Sequence, residues 1–420
     1  MSQTIIEKLL KGAEVEWKPL KEIALEITSG GTPDTSNAKY YDGEIPWVRS
    51  QEIKFGEIWD TGIKISEEGF NNSSVKWVPI NSILIAMYGA TVGKVAINKI
   101  PVTTNQACAN IQIDKKLALY KYIFYVICNN YEFIKNLGKG IQTNINMNII
   151  KKLLVPIPPL SVQKEIVRIL DAFTAHTAEL TAELNERKKQ YNYYRDKLLT
   201  FSDDEVEWKP IDEIAEIYGG LIGKTKSDFE KGNAIYIPYK NIYDNISVDF
   251  NNVNLVNVSL DESQNRVEYG DILFTGSSET IEETGLSSVV TQKNRDPVYL
   301  NSFSFGVRIN NKSLLIPDFS KYLFRSKFMR KEIIRCANGV TRFNLSKAHF
   351  KKIKIPIPPL SVQKEIVRKL DAFSMLTTSI SAGLPREIEL RNKHYEYYRD
   401  QLLNFPKPEN DAIKHNSMNR

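Results

Sequence analysis

Two stretches of the chain place glycines and a lysine at nearly the spacing of a phosphate-binding turn. They are Gly89-Ala90-Thr91-Val92-Gly93-Lys94 and Gly219-Gly220-Leu221-Ile222-Gly223-Lys224-Thr225. A nucleotide P-loop needs four residues between its outer glycines and a hydroxyl after the lysine to hold Mg²⁺. Both stretches are one residue short, and Val95 supplies no hydroxyl in the first. A nucleotide site is not expected; a glycine turn that brings backbone close to a DNA phosphate fits better. Pro158-Pro159 lacks both the preceding Asn or Asp and the following aromatic of an amino-methyltransferase motif, and no glycine-rich cofactor fingerprint occurs. The four histidines, His176, His349, His394 and His415, have no metal-ligand spacing. No Ser-His-Asp or Cys-His set can be assembled, and the carboxylates show no informative nuclease spacing. The chain is therefore expected to hold no catalytic or metal centre.

What remains is hydrogen-bonding and stacking chemistry. Arg, Gln and Asn can make paired hydrogen bonds to guanine or adenine edges. They occur with Tyr, Lys, Ser and Thr in a few turn-like stretches. In the first half these are Arg49-Ser50-Gln51, the Tyr88 to Lys94 turn with Thr91, and Gln142-Thr143-Asn144. In the second half they are Tyr239-Lys240-Asn241, Ser277-Ser278-Glu279 and Thr341-Arg342-Phe343-Asn344. Each taken singly also reads as an ordinary surface loop.

Such turns need a scaffold, and an internal repeat defines it. Lys151 to Phe173 recurs as Lys351 to Phe373 with changes only at Leu153/Ile353, Leu154/Lys354, Val155/Ile355 and Ile169/Lys369. Val15-Glu16-Trp17-Lys18-Pro19 likewise recurs as Val206-Glu207-Trp208-Lys209-Pro210. The order is A-B-A-B, a pseudo-twofold internal duplication. Each A unit mixes short β-rich runs, such as Ser82 to Ala86 and Asp271 to Phe274, with a late helical stretch (Leu117 to Lys135; Phe319 to Cys336). That predicts an α+β domain. Between anchors such as Asn105 and Asn301 the two A units diverge.

Each B unit is helical. Pro158 and Pro159 keep the chain extended, and Ser161 is the expected N-cap. An apolar stripe then steps by four and three through Ile166, Leu170, Phe173, Thr177, Leu180, Leu184, Arg187, Tyr191, Tyr194 and Leu198, which is a heptad seam. The second copy gives Ile366, Leu370, Phe373, Thr377, Ile380, Leu384, Ile388, Arg391, Tyr395, Tyr398 and Leu402. It holds a four-residue insertion, about one turn, so the seam stays in phase. The first copy has a matching tandem unit, Thr177-Ala-Glu-Leu180 and Thr181-Ala-Glu-Leu184. Two helices of roughly 40 residues, about 60 Å each, should pack as an antiparallel pair, with Gly383 and Pro385 weakening or kinking the second. The aromatic-basic ends, Arg187 to Lys197 and Arg391 to Arg399, read either as a tyrosine-rich seam or as a docking surface. The resulting divisions are 1–155 and 202–355 for the globular domains, 156–201 and 356–405 for the helices, and 406–420 for a polar tail.

Composition agrees with a folded chain of two or three domains: 420 residues, 42% hydrophobic, 25% charged and a net charge of +6. The mild basicity suits an anionic partner. There is no apolar run of about 18 residues, no signal-peptide pattern at Met1, and the cysteines Cys108, Cys128 and Cys336 are isolated. A reduced cytoplasmic protein without membrane contact is expected.

With these elements in place the chain resembles the specificity subunits of type I restriction-modification systems, over residues 5 to 405. The stretches that carry the resemblance are Ser29-Gly-Gly-Thr-Pro33, Ile45-Pro-Trp-Val48, Ile85 to Lys94, Thr104-Asn-Gln-Ala107 and Val155-Pro-Ile-Pro-Pro-Leu160. In the second half they are Phe274 to Glu279, Gly339-Val-Thr-Arg-Phe-Asn344 and Ile355-Pro-Ile-Pro-Pro-Leu360. The resemblance implies a non-catalytic chain with two target recognition domains, each reading half of a split, asymmetric site in double-stranded DNA. It implies that the helices space the domains and carry two methyltransferase subunits, with restriction-translocase subunits joining outside. S-adenosylmethionine, ATP and Mg²⁺ would then belong to the partners. Competing readings are a type IIB-like specificity subunit, a self-contained methyltransferase or nuclease, and a coiled-coil scaffold with no DNA role.

Overall fold

The computed structural model describes residues 4–138, 144–259, 261–294, 296–378 and 383–406. Gln142, Ile380, the side chain of Thr377 and residues 407–420 lie outside the described part. The chain forms two units, Met1–Glu179 with Ile388–Arg420, and Leu180–Glu387.

In the first unit, Thr4 and Glu7 form a reciprocal capping box at the head of the Ile5–Leu10 helix. The globular part then opens and closes on one antiparallel pair, Glu16–Pro19 with Leu154–Ile157. A five-stranded sheet runs in the order Ala24–Ser29, Cys108–Ile113, Ile83–Ala86, Val95–Asn98, Gly56–Ile58. Its central strand Ile83–Ala86 is buried on both faces. Alternation along a strand sends neighbours to opposite sides. Ile83 and Ile85 accordingly join a core with Tyr122, Ile123 and Val126 of the Tyr120–Asn129 helix. Leu84 and Ala86 meet Val48, Ile53, Val78 and Val102 on the other side. There a second sheet runs Lys64–Ile65, Ile45–Val48, Val102–Thr104, Trp77–Val78.

The second unit repeats this plan. Glu207–Pro210 pairs with Lys354–Ile357. A four-stranded sheet runs Ala215–Gly219, Ser304–Ile309, Ile272–Thr275, Ser287–Val289. Ile272 and Phe274 face the helical core, while Leu273 faces Ile237, Val298 and Leu300. The late helical stretch is two helices in each unit: Tyr120–Asn129 and Tyr131–Asn136, then Pro317–Leu323 and Lys327–Arg335. In the second unit the break is set by Ser326, whose hydroxyl caps Lys327–Arg335 by accepting from Met329 N at 3.3 Å. Asn105 and Asn301 are equivalent: each side-chain oxygen accepts the backbone N–H two residues on, from Ala107 at 3.2 Å and from Phe303 at 3.0 Å.

The first spacer helix is one piece, Leu160–Leu198. It begins at Leu160, not after Ser161. Pro159 O already accepts from Val162 N (2.9 Å) and Gln163 N (3.1 Å), so Ser161 sits in the first turn and is no N-cap. The second spacer is described as Leu360–Thr378 and Leu384–Leu403. Gly383, at φ +81°, directly precedes the second piece, and a Cβ there would lie 2.6 Å from the Met375 carbonyl oxygen. Only glycine fits that turn. Pro385 falls in the first turn that follows, where a missing N–H costs nothing.

The seam packs antiparallel within each unit. In the first, Ile166 and Leu170 share a core with Leu402, Tyr395 and Tyr398, and Phe173 stacks on Tyr398 at 5.2 Å. In the second, Ile366 and Leu370 pack with Tyr191 and Leu198, and Phe373 stacks on Tyr194 at 5.5 Å. Leu180 and Leu184 are only half-buried, as is Leu384. Apolar stabilisation scales with area removed from water, so buried Ile166, Leu170, Ile366 and Leu370 contribute more than half-buried Leu180, Leu184 and Leu384.

The duplicated heads of the helices carry two polar clamps. Gln163 is fully buried. Its Nε2 donates to Pro158 O (2.8 Å) and Leu117 O (3.4 Å), and its Oε1 accepts from Leu119 N (2.9 Å). Gln363 repeats this with Pro358 O (2.8 Å), Leu314 O (2.8 Å) and Ile316 N (2.9 Å). Asp171 accepts from Tyr125 OH (2.7 Å) and Lys121 Nζ (2.7 Å), and Asp371 from Tyr322 OH (2.6 Å) and Lys321 Nζ (3.0 Å). The repeat thus encodes the seating of each globular domain on its helix. A buried donor or acceptor left unmade costs about 1–3 kcal/mol. Gln163→Ala, and separately Gln363→Ala, is therefore expected to lower unfolding stability by about 3 kcal/mol, read by chemical denaturation. A loss within error would refute the clamp.

Candidate nucleic-acid interface

In the first unit, Arg49, Ser50 and Gln51 lie in and beside a 3₁₀ turn, Ser50–Glu52, that follows the Ile45–Val48 strand. Gln51 turns its carboxamide oxygen toward Arg49, accepting from Nη1 and Nη2 at 3.0 and 3.1 Å. A second 3₁₀ turn, Gly89–Thr91, is tied to the first by Thr91 Oγ1 donating to Ser50 O at 2.8 Å. Lys94 reaches over the Phe55 ring at 5.9 Å, Phe55 meets Tyr131 edge-on at 4.9 Å, and Lys135 lies 5.7 Å from the Tyr131 ring. Tyr88 is exposed, and Asn144 is brought beside it because Ile145 N donates to Met87 O at 2.9 Å. The structure therefore gathers Arg49, Ser50, Gln51, Tyr88, Thr91, Lys94 and Asn144, and adds Phe55, Tyr131 and Lys135. Phe55 holds φ +58°, rare for a bulky residue. The turn Lys54-Phe55-Gly56 was its only sequence signal.

In the second unit, Tyr239, Lys240 and Asn241 begin the Tyr239–Asp244 helix. Tyr239 OH donates to Ser277 O at 2.7 Å. Ser277 and Ser278 pair with Asn344 and Phe343 in a small sheet. The hairpin between Ala337–Asn338 and Phe343–Leu345 needs Gly339, at φ +139°, where a Cβ would lie 2.0 Å from Arg342 O. Lys240, Arg342 and Asn344 are exposed. Sequence reasoning missed Tyr243 and Glu283. The Tyr243 phenol donates to Glu283 Oε1, and Ser278 Oγ donates to Glu283 Oε2 at 3.4 Å. The Tyr243 phenol, followed by the Thr280 and Ser278 hydroxyls, holds the Glu283 carboxyl below the usual range.

Two candidates have other work. Asn241 is fully buried; its Nδ2 donates to Asp249 O and Asn252 O, both at 2.7 Å, and its Oδ1 accepts from Asp249 N at 3.1 Å. It holds a loop and has no edge left to offer a base. Ser277 and Ser278 are also buried, so their part is to seat the strand beneath Tyr239.

The two glycine-lysine stretches are not phosphate loops. Gly89 to Lys94 joins the antiparallel strands Ile83–Ala86 and Val95–Asn98, and no helix follows. Lys224 is buried against Glu262 (2.5 Å) and Asn257 O (2.6 Å). The most buried carboxylate among the described residues of the second unit, Asp271, is bound by Arg308 at 2.7 Å and Tyr218 OH at 2.6 Å, which marks a structural ion pair. Among the described residues no cluster of His, Cys, Asp and Glu could hold a metal ion, and no helix is long and apolar enough to cross a membrane.

Comparison with known proteins gives this architecture a family. Residues 13–189 and 203–390 each match the type I restriction modification DNA specificity domain. The chain is 35% identical over 415 residues to the Escherichia coli type I restriction enzyme EcoR124I/EcoR124II specificity subunit, covering 96% of this chain and 98% of that one. It is 33% identical to a putative type I restriction enzyme specificity subunit of Haemophilus influenzae, covering 96% and 99%. Among solved structures it superposes on a type I restriction-modification chain studied for complex assembly and conformational transition, with TM-score 0.62, 15% identity and coverage of 93% and 98%. It also superposes on the S subunit of Thermoanaerobacter tengcongensis, with TM-score 0.51, 15% identity and coverage of 93% and 97%.

Two such domains alternating with paired helices define a DNA-recognition subunit that carries out no catalysis itself. The chain belongs to the family of type I restriction-modification specificity subunits.

The reassignment of Asn241 is open to a direct check. Asn241→Ala should speed amide exchange across Val248 to Asn252, because it removes three buried bonds. Lys240→Ala should leave that exchange unchanged. Equal behaviour of the two variants would contradict the internal role.

Proposed function

We propose that the two units read the two blocks of one bipartite, asymmetric target in double-stranded DNA and deliver partner subunits to it. The observation that carries this reading is a contrast. The clamps on the helix heads are the same in both units, whereas the turns are built differently: the two sets share Arg, Tyr, Lys and Asn, but the first adds Gln51 and Phe55 on two 3₁₀ turns and the second adds Glu283 beside a short helix and a small sheet. Arg49, Gln51, Tyr88, Lys94 and Asn144, with Phe55, Tyr131 and Lys135, would face one block. Tyr239, Lys240, Arg342 and Asn344, with Tyr243 and Glu283, would face the other. Arg and Gln suit guanine and adenine edges, and a carboxylate suits the cytosine amino group. Lysines beside aromatic rings suit phosphates and positioning.

In this reading the partners are two methyltransferase subunits and restriction-translocase subunits. S-adenosylmethionine, ATP and Mg²⁺ are bound there and not by this chain. The complex works in the cytoplasm, where the chain's separate, unpaired cysteines are at home.

The helices set the gap between the blocks. One four-residue unit adds about 6 Å of helix, nearly two base pairs at about 3.4 Å each. Deleting Thr181 to Leu184 is expected to shorten the unread gap while leaving both blocks intact. Mapping methylated sites in cells that express the deletion with its partners decides this. Altered blocks with an unchanged gap would overturn the proposal.

A further inference from the structure

We infer that Arg325 and Arg330 are positioning residues for the second recognition surface, shaping it from beneath by gathering backbone carbonyls on both of its sides. The inference rests on the reading of that surface given above. Arg325 Nε donates to Ser287 O at 2.7 Å, and its Nη2 faces Ile242 O (2.8 Å), Tyr243 O (3.1 Å) and Asn245 O (3.4 Å). Arg330 Nη1 donates to Gly285 O at 2.5 Å, and its Nη2 to Thr284 O (2.7 Å) and Glu282 O (2.9 Å).

The acceptors are not scattered. Ile242, Tyr243 and Asn245 close the helix that presents Tyr239, Lys240 and Tyr243, where carbonyls lack helical partners and negative partial charge collects. Ser287 begins the edge strand of the four-stranded sheet. Arg325 thus fixes that helix to that sheet. Glu282, Thr284 and Gly285 surround Glu283 in the turn, and the Glu283 carboxylate takes the Tyr243 hydroxyl. The two sides of the surface are therefore tied twice, by the Tyr243–Glu283 bond and by Arg325, while Arg330 holds the turn that carries Glu283.

Neither arginine makes an ion pair among the described residues. Burial lowers both to about 10, so both stay charged at neutral pH. Burying a cation is costly, and for Arg325 the charge of Arg330 adds to the cost while Asp244 offsets part of it. What a guanidinium alone supplies is a planar fork of donors that reaches several carbonyls at once. A lysine keeps the charge and loses the fork. In the first unit the turns are joined instead by the Thr91–Ser50 bond and the Phe55–Tyr131 contact, so the effect should be confined to one block.

The test expresses the full chain with its methyltransferase and restriction partners in cells lacking any other such system, and maps methylated sites. Arg325→Lys, Arg330→Lys and Arg330→Met are compared with the parent. The first block should be unchanged in every variant. In the second block, the share of methylated sites with a wrong base should rise at least tenfold for Arg330→Met and less for Arg330→Lys. Tyr243→Phe, which cuts the upper tie without touching either charge, should relax the same block and serves if an arginine variant fails to fold. Motifs identical to the parent in the lysine variants and Tyr243→Phe, or equal relaxation of both blocks, would overturn the inference. A parent motif without two separate blocks would instead overturn the reading on which it rests.

Discussion

The structure depends on one fully buried glutamine used twice. Gln163 and Gln363 sit where the prolines end a globular domain and a spacer helix begins. Each satisfies the carbonyl before its own helix and two backbone groups of the domain behind it. A buried amide leaves no tolerance for a shift of more than a few tenths of an ångström, so the domain cannot slide on the helix. Asp171 and Asp371 repeat the constraint two turns further on, through a tyrosine and a lysine of the domain. The identity of Gln163 with Gln363 and of Asp171 with Asp371 follows from this constraint.

Freed from holding the domain, the turns at the far ends of the strands can vary. The first unit builds its surface on two 3₁₀ turns, an arginine-glutamine pair and a phenylalanine in left-handed backbone. The second builds on a short helix, a three-stranded edge and two carbonyl-binding arginines. A constant mount with a variable face is what a subunit needs if it must meet the same partners while reading different bases.

Much of this was legible in the sequence. The repeat gave the order of domains and helices, the four-three stepping gave the seam, and Gly383 marked the left-handed turn that directly precedes Leu384–Leu403. The misses share a physical cause. Gln163 and Asn241 are polar residues whose bonds run to backbone outside their own helices, to Leu117 and Leu119 for the first and to the loop at Asp249 and Asn252 for the second, and side-chain spacing carries no trace of such bonds. Ser161 follows a proline pair whose carbonyl already starts the helix, so the usual capping rule did not apply. Phe55 and Glu283 join the surface only because the fold brings Tyr131 and Tyr243 to them.

The central claim is that each globular domain carries its own half of the recognition independently of its mount. It is tested most directly by replacing Glu207–Ile357 with a second copy of Glu16–Ile157, whose boundaries are the paired strands that close each domain. Methylated sites would then be mapped in cells supplying the partner subunits. The expected target has two blocks, both with the sequence of the original first block. Retention of the original second block, or a new sequence in the first, would contradict it.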